Sequence, residues 1–198
     1  MTDTEKVKRS GRPRAFDPEA GVAAATRLFW EKGYDAVGVA ELAQTIGINP
    51  PSLYAAYGSK RELFARAVAH YAGTQGRFFA RLDADGPAYE TLISVLEDAA
   101  RAGTGDATAR GCLVLDGTRN CTDSGARALT AEVRAGLREK AHALIARDRP
   151  EVADSAADYF MFVLTAISGS AIDGVPLDRL MQDIALAGQG LGAMLGRG

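Results

Sequence analysis

Little in this 198-residue chain is chemically reactive at neutral pH. Its two cysteines, Cys112 and Cys121, are too few for a disulfide framework and match no zinc-ligand spacing. The sequence therefore implies a reducing, cytoplasmic setting with no metal and no cofactor. The two histidines, His70 and His142, are the only neutral-pH bases. Gly-rich phosphate loops, HExxH and GxSxG motifs are all missing, which argues against an enzyme. Residues 1–14 lack the apolar run of roughly 7 to 15 residues that a signal peptide needs. No segment approaches the roughly 18 consecutive apolar residues of a membrane span, so no membrane association is expected. Alternating β-branched runs, the mark of strands, are absent too.

What the chain does have is 47% hydrophobic content, with Ala, Leu, Glu and Arg recurring at helical spacing. This predicts an all-α protein of about nine helices. Asp17 and Pro18 open the first, whose apolar face Val22, Ala25, Leu28, Phe29 runs to Gly33. A second spans Val39 to Ile46, and Pro50-Pro51 opens a third through Tyr57. Ser59-Lys60-Arg61-Glu62 reads as a capping box for a long fourth helix reaching about Leu82. A fifth ends near Gly103-Thr104-Gly105, and a sixth is expected over 107–121. Asp123-Ser124 caps a seventh running toward Arg149. Pro150 starts an eighth, ended by Asp173-Gly174, and Pro176 opens a ninth. The reading divides the chain into a flexible basic arm (1–14), a helix-turn-helix domain (15–60) and a helical ligand-binding and dimerisation domain (61–198).

Net charge is −2, which would ordinarily disfavour nucleic acid, but the charge is uneven. Residues 1–70 hold ten Lys/Arg against eight Asp/Glu; the remainder holds thirteen against seventeen. A basic end thus sits on an acidic body. In that end, two short helices joined by Gly47-Ile48-Asn49 form a helix-turn-helix pattern. Leu42, Ala43, Ile46, Ile48 and Leu53 are spaced to make its small core. Pro50, Pro51, Ser52, Tyr54, Ala55 and Tyr57 remain on the third helix, a mixture of hydroxyls and small apolar surfaces suited to phosphates and thymine methyls.

The run Gly47–Phe64, GINPPSLYAAYGSKRELF, closely resembles the signature of TetR-family transcriptional regulators, and the likeness extends back to Arg12. The resemblance implies a ligand-responsive repressor that holds double-stranded palindromic operator DNA and is released by a small apolar or aromatic effector. It places Ser52, Tyr54 and Ala55 at bases or nearby phosphates and Lys60, beside Ser59, at a phosphate. Tyr57 would pack partly inward. Ala56 and the double proline depart from the commoner pattern, so shape readout and thymine-methyl contacts would carry more of the specificity. Arg12 and Arg14 lie where an arm would reach the minor groove, although a solvated tail reads equally well.

The resemblance also implies a homodimer built from the last two long helices, with Tyr159, Val163, Ile167, Leu180, Ile184, Leu191 and Met194 at the interface. Ala187 and Gly188 would leave a flat seam. Candidate cavity walls are Phe78, Leu82, Leu96, Leu113, Phe160 and Leu164, most of them ordinary core residues by the same spacing. Asp116, Asn120 and His142 are polar departures for which solvent exposure or a local salt bridge is a plainer reading than ligand contact. Cys112, in RGCLV, resembles the position where some TetR relatives sense oxidants or electrophiles. A small buried hydrophobe is the plainer reading. If helix 6 were continuous, Cys112 and Cys121 would lie about 13.5 Å apart along its axis and could not bridge. A constitutive DNA-binding or protein-interaction module without an inducer also fits the sequence.

Overall fold

The computed structural model describes residues 17–197, and every described regular element is helical. In chain order these are α1 (Pro18–Lys32), α2 (Val39–Ile46), α3 (Pro50–Tyr57), α4 (Lys60–Thr74), a 3-10 segment (Arg77–Asp83), α5 (Ala88–Thr104) and α6 (Leu113–Asp116). They continue with α7 (Ser124–Ala146), a 3-10 turn (Pro150–Val152), α8 (Ala153–Ile172) and α9 (Leu177–Met194). The basic arm, with Arg12 and Arg14, lies outside the described residues.

Local chemistry fixes most of these ends. The Asp17 carboxylate accepts from the Glu19 amide at 3.0 Å and Pro18 follows at the first helical position. Asn49 accepts from the Ser52 amide at 2.8 Å, and the Ser59 hydroxyl from the Glu62 amide at 3.1 Å. Between α2 and α3 the chain reverses through Gly47 at φ 81°, ψ 28°. A side chain is strained in that left-handed conformation, so the turn depends on the glycine. Gly21 serves close approach instead: a Cβ there would overlap the Tyr57 hydroxyl and lie 3.0 Å from Ile46.

Two expected boundaries differ. The fourth helix stops at Thr74 rather than near Leu82, because Gly73 and Gly76 fall within four residues and weaken the helix there. The chain then tightens into 3-10 geometry, turning Phe78 and Phe79 onto the body. The sixth helix is one turn, 113–116, instead of a helix over 107–121. Around it, residues 105–123 form an irregular strap whose backbone groups bond outward, and Asn120 sits at φ 57°. The ruler that kept Cys112 and Cys121 apart therefore does not apply. Both are free thiols.

Two apolar clusters organise the chain. One joins α1–α4, with Phe29, Leu42, Leu53, Leu63 and Phe64 fully buried, and continues through Tyr71 to Leu113, Val114 and Ala126. The other joins α5, α7, α8 and α9 around Leu92, Leu96, Leu144, Phe160 and Leu164. Cys112 touches both. By length and mean hydropathy the stretch Pro150–Ile172 is apolar enough to cross a membrane, although Glu151, Asp154 and Asp158 interrupt it and it holds no run of about 18 consecutive apolar residues. Its character follows from packing: α8 is the central helix of the body, in contact with α5, α7 and α9, and carries apolar residues on its outer face as well.

Candidate DNA interface and effector cavity

The third helix shows its side chains, not its amides. Pro50 and Pro51 carry no N–H, and the Ser52 amide is taken by Asn49. A phosphate therefore finds little backbone to bind at this helix start, and the exposed Ser52, Tyr54 (51% accessible) and Ala55 present the readable surface. Pro50 and Pro51 are exposed beside them. Tyr57 is a correction to the outward set: it is 1% accessible and its phenol donates to the Pro18 carbonyl at 3.0 Å. The period of the helix turns it into the α1 contact that Gly21 leaves open.

Lys60 begins α4 with its ammonium 4.1 Å above the centre of the Tyr34 ring. Tyr34 in turn donates to Asp123 at 2.9 Å, and Asp123 caps α7 by accepting from Gly125 and Ala126. Arg61 lies 3.5 Å from the same carboxylate. The start of α4, next to α3, is thereby tied to the start of α7.

The strap makes the wider connection. Tyr34 N–H donates to Gly117 O at 2.7 Å and the Trp30 indole to Gly111 O at 3.1 Å. Arg27 grips Asp106 with both terminal nitrogens, at 2.9 and 3.2 Å. Asp35 accepts from the Thr122 amide at 2.7 Å and from the Cys121 thiol at 3.1 Å. None of these partners was legible as a site in the sequence, because they join segments roughly 80 residues apart.

Three carboxylates in this junction are held below the usual aspartate range. The Arg27 hydrogen bond acts first on Asp106, the Thr122 amide on Asp35, and the Ala126 amide, then Tyr34, on Asp123. A folded pKa below the unfolded one means stability that is complete above the ordinary aspartate value of 3.8 and is lost as pH falls through the lowered folded values. Thermal midpoints are expected to be flat between about pH 5 and 8 as far as these groups are concerned, then to fall below about pH 4. A decline already under way between pH 6 and 5 would contradict that assignment.

The expected cavity residues divide into groups. Phe78, Cys112 and Leu164 come together with Tyr71, Phe79, Leu115 and Ile167 around an inner space of only about 10 Å³, at the limit for one water. Asp116 stands behind its wall, accepting from Ser168, from the Cys112 amide at 3.4 Å and from Arg119 at 2.6 Å, and does not line the space itself. Across Tyr71 and Phe79 lies an outer apolar cleft of about 350 Å³ between α4, the 3-10 segment and α7, lined also by Val114, Val133 and Leu137. Leu82, Leu96 and Phe160 are buried in the body core, and Leu113 in the other cluster. Asn120 is an exposed turn residue. His142 faces Asp154 at 3.7 Å on the α7–α8 surface, so the structure brings neither to the cavity. The Cys112 thiol is pushed up by burial, against smaller downward effects from the Tyr71 hydroxyl and the Leu115 and Val114 amides.

On the outer face of α8 and α9, the residues named from sequence mostly turn inward. Leu180, Ile184 and Leu191 are at most 2% accessible within one chain. Gly188, expected in a flat seam, faces Tyr89 and Ile93 of α5. Tyr159 bonds the Ala187 carbonyl at 3.1 Å, and Met194 packs partly on the core. What stays outside is Phe162 at 70% and Leu186 at 66%, flanking a groove of about 390 Å³ whose floor includes Val163, Ile167 and Leu180. Isolated apolar side chains on a surface mean little, but two large ones across one groove form a patch.

Known proteins share this arrangement. The family described as "Bacterial regulatory proteins, tetR family" matches residues 22–67, from α1 into α4. The HTH-type transcriptional repressor BdcR of Escherichia coli (strain K12) is 39% identical over 196 residues, covering 98% of this chain and 99% of that protein. The HTH-type transcriptional repressor ComR of the same organism is 32% identical over 197 residues, with coverage of 90% and 91%. A cysteine mutant of the TetR family transcriptional regulator CifR, complexed with 26 bp double-strand operator DNA, superposes with a TM-score of 0.80 at 34% identity, over 90% of this chain and 98% of that one. A likeness of this extent to BdcR runs through reading head and body alike, and the chain belongs to the TetR family of bacterial helix-turn-helix transcriptional regulators.

Proposed function

We propose that this chain is a cytoplasmic, homodimeric repressor that holds palindromic operator DNA through α3 and the start of α4, and lets go when a small apolar molecule opens the space behind Phe78 and Phe79. On this reading it has no enzymatic activity. Residues 15–60 are the reading head and 61–198 the effector and dimer body, with α4 packed in the α1–α4 cluster and touching α7. Ser52, Tyr54 and Ala55 contact bases or adjacent phosphates, and Ser59 and Lys60 contact phosphate. The described kinship with BdcR and ComR, both repressors, and with CifR, solved on operator DNA, favours repression.

The observation that carries the regulatory part is the strap. Gly111, Cys112 and Leu115 wall the inner space, while Gly111, Gly117, Asp106 and Thr122 of the same segment hold α1 and the turn after it. A ligand wider than the closed 10 Å³ space must displace Phe79 or the strap, and displacement of the strap moves the head. Coupling of about 1–3 kcal/mol is typical of such linkage, or roughly 5- to 150-fold in affinity.

The test is an anisotropy titration at fixed salt against the DNA upstream of the chain's own gene, followed by a genomic binding selection. Wild type is expected to bind a discrete palindrome. The double variant Tyr54→Ala, Lys60→Ala is expected to bind about tenfold to a hundredfold more weakly and with a shallower salt dependence. Failure to select any palindrome would end the operator reading.

A thiol switch at Cys112 is a second reading, favoured by the sulfur's place on the cavity wall. Burial weighs against a resting thiolate there. Iodoacetamide is therefore expected to alkylate native Cys112 at neutral pH at least about tenfold more slowly than a free cysteine peptide. Rapid modification, followed by mass spectrometry and accompanied by loss of DNA binding, would make the thiol the sensor.

A further inference from the structure

The cleft between head and body holds a feature that neither DNA reading nor the apolar cavity uses. It measures about 430 Å³ and is bounded by the end of α1, the turn after it, the strap and the last turn of α8. That volume falls in the range of small-molecule sites. Its walls carry three cations and three carboxylates. Lys32 pairs with Glu41, and Arg119 with Asp116. Glu31 is held by Arg27, and Asp35 by the Thr122 amide and Cys121 thiol.

Arg110 is different. It is half-buried, its one side-chain hydrogen bond among the described residues runs from Nη1 to the Ala171 carbonyl at 3.2 Å, and no described carboxylate lies within ion-pair distance of it. A guanidinium has five donors in a planar fork and stays charged at any working pH, so most of its donors remain open to the cleft. Apolar surface stands on the same walls: the face of Trp30, Ala36, and Ile172, which is 45% accessible.

We propose that this cleft is a second ligand site, for a small organic carboxylate whose charge pairs bidentately with Arg110 and whose ring or short tail lies against Trp30 and Ile172. The site is separate from the apolar cavity, although Cys112 borders both. Because one wall is α1 and the other is the strap, an occupant bridges head and body and favours the spacing of the two seen in this structure.

Trp30 is the only tryptophan in the chain and lines the cleft, so its fluorescence reports binding directly. Benzoate and its neutral isostere benzamide are the probes, titrated into the full-length protein to about 10 mM. Benzoate is expected to give a saturable change, with benzamide weaker by about tenfold or more. Arg110→Gln should remove that preference. Because that substitution also breaks the Ala171 bond, Ala36→Glu serves as an independent variant: it sets a carboxylate on an exposed edge of the cleft, outside the core, and should weaken benzoate by a similar factor. Equal titrations by benzoate and benzamide, no saturable signal, or undiminished benzoate binding in Ala36→Glu would overturn the proposal. Operator binding in the absence of probe is read separately, so failure here is distinguishable from failure of the repressor reading.

Discussion

Phe162→Asp combined with Leu186→Asp is expected to turn the protein into a folded monomer that no longer holds its operator. The two side chains are 70% and 66% accessible in the isolated chain, so replacing them removes little internal packing and should leave the thermal midpoint of the protomer almost unchanged. In a two-fold dimer each substituted position occurs twice, and an aspartate placed in a dry, self-complementary contact costs several kcal/mol in desolvation and like-charge repulsion. Each head then meets only one half-site, and affinity falls toward the non-specific level, by about 10³-fold or more. Light scattering coupled to size exclusion, with an operator titration, checks both halves. A dimer that survives the double substitution would place the interface elsewhere.

That prediction rests on residues the sequence did not single out, for a physical reason. Helical periodicity finds apolar stripes but not what they face. On α9, Leu180, Ile184 and Leu191 form the strongest stripe because they pack on the chain's own α5 and α8, and Leu186 stands alone on the opposite side. On α8 the two-residue step from Phe160 to Phe162 crosses from core to surface, yet in a chain apolar on both faces that step leaves no trace.

The reading head was legible because its signals are local. Asp17, Asn49 and Ser59 cap helices within three residues of themselves, and Gly47 turns the chain where it stands. Tyr57 is the exception: its partner is Pro18, 39 residues away, and the helix-turn-helix pattern alone could not say whether it points to DNA or to α1. The strap failed for the same reason on a larger scale. Residues 107–121 contain enough Leu, Val, Ala and Arg to suggest a helix, but their backbone groups are claimed by Tyr34 and Trp30 of α1 and its turn and by Gly103 at the end of α5. These bonds stand in place of helical ones, and for Tyr34 and Trp30 no window of sequence contains both partners.

Phe160→Ala separates a core residue from a cavity wall, and its expected cost is the largest on stability. Phe160 was a candidate on both counts. It is fully buried among Leu92, Leu96, Ala141, Leu144 and Leu164 and does not border the inner space behind Phe78. Truncating such a ring leaves an unfilled hole in a close-packed interior and costs about 3–5 kcal/mol. For a chain of this size that corresponds to a fall in thermal midpoint of roughly 6 to 20 °C. Phe78→Ala, by contrast, removes a partly buried ring from the cavity wall and should change effector response with a much smaller loss of stability. Cys112 and α6 join the two apolar clusters, so the Phe160 loss should lower one cooperative transition rather than melt the body away from an intact head. Calorimetry resolves the alternatives. Two separate transitions in Phe160→Ala would show that the strap holds head and body together too weakly to carry a signal between them. A midpoint within about 2 °C of wild type would instead return Phe160 to the ligand cavity.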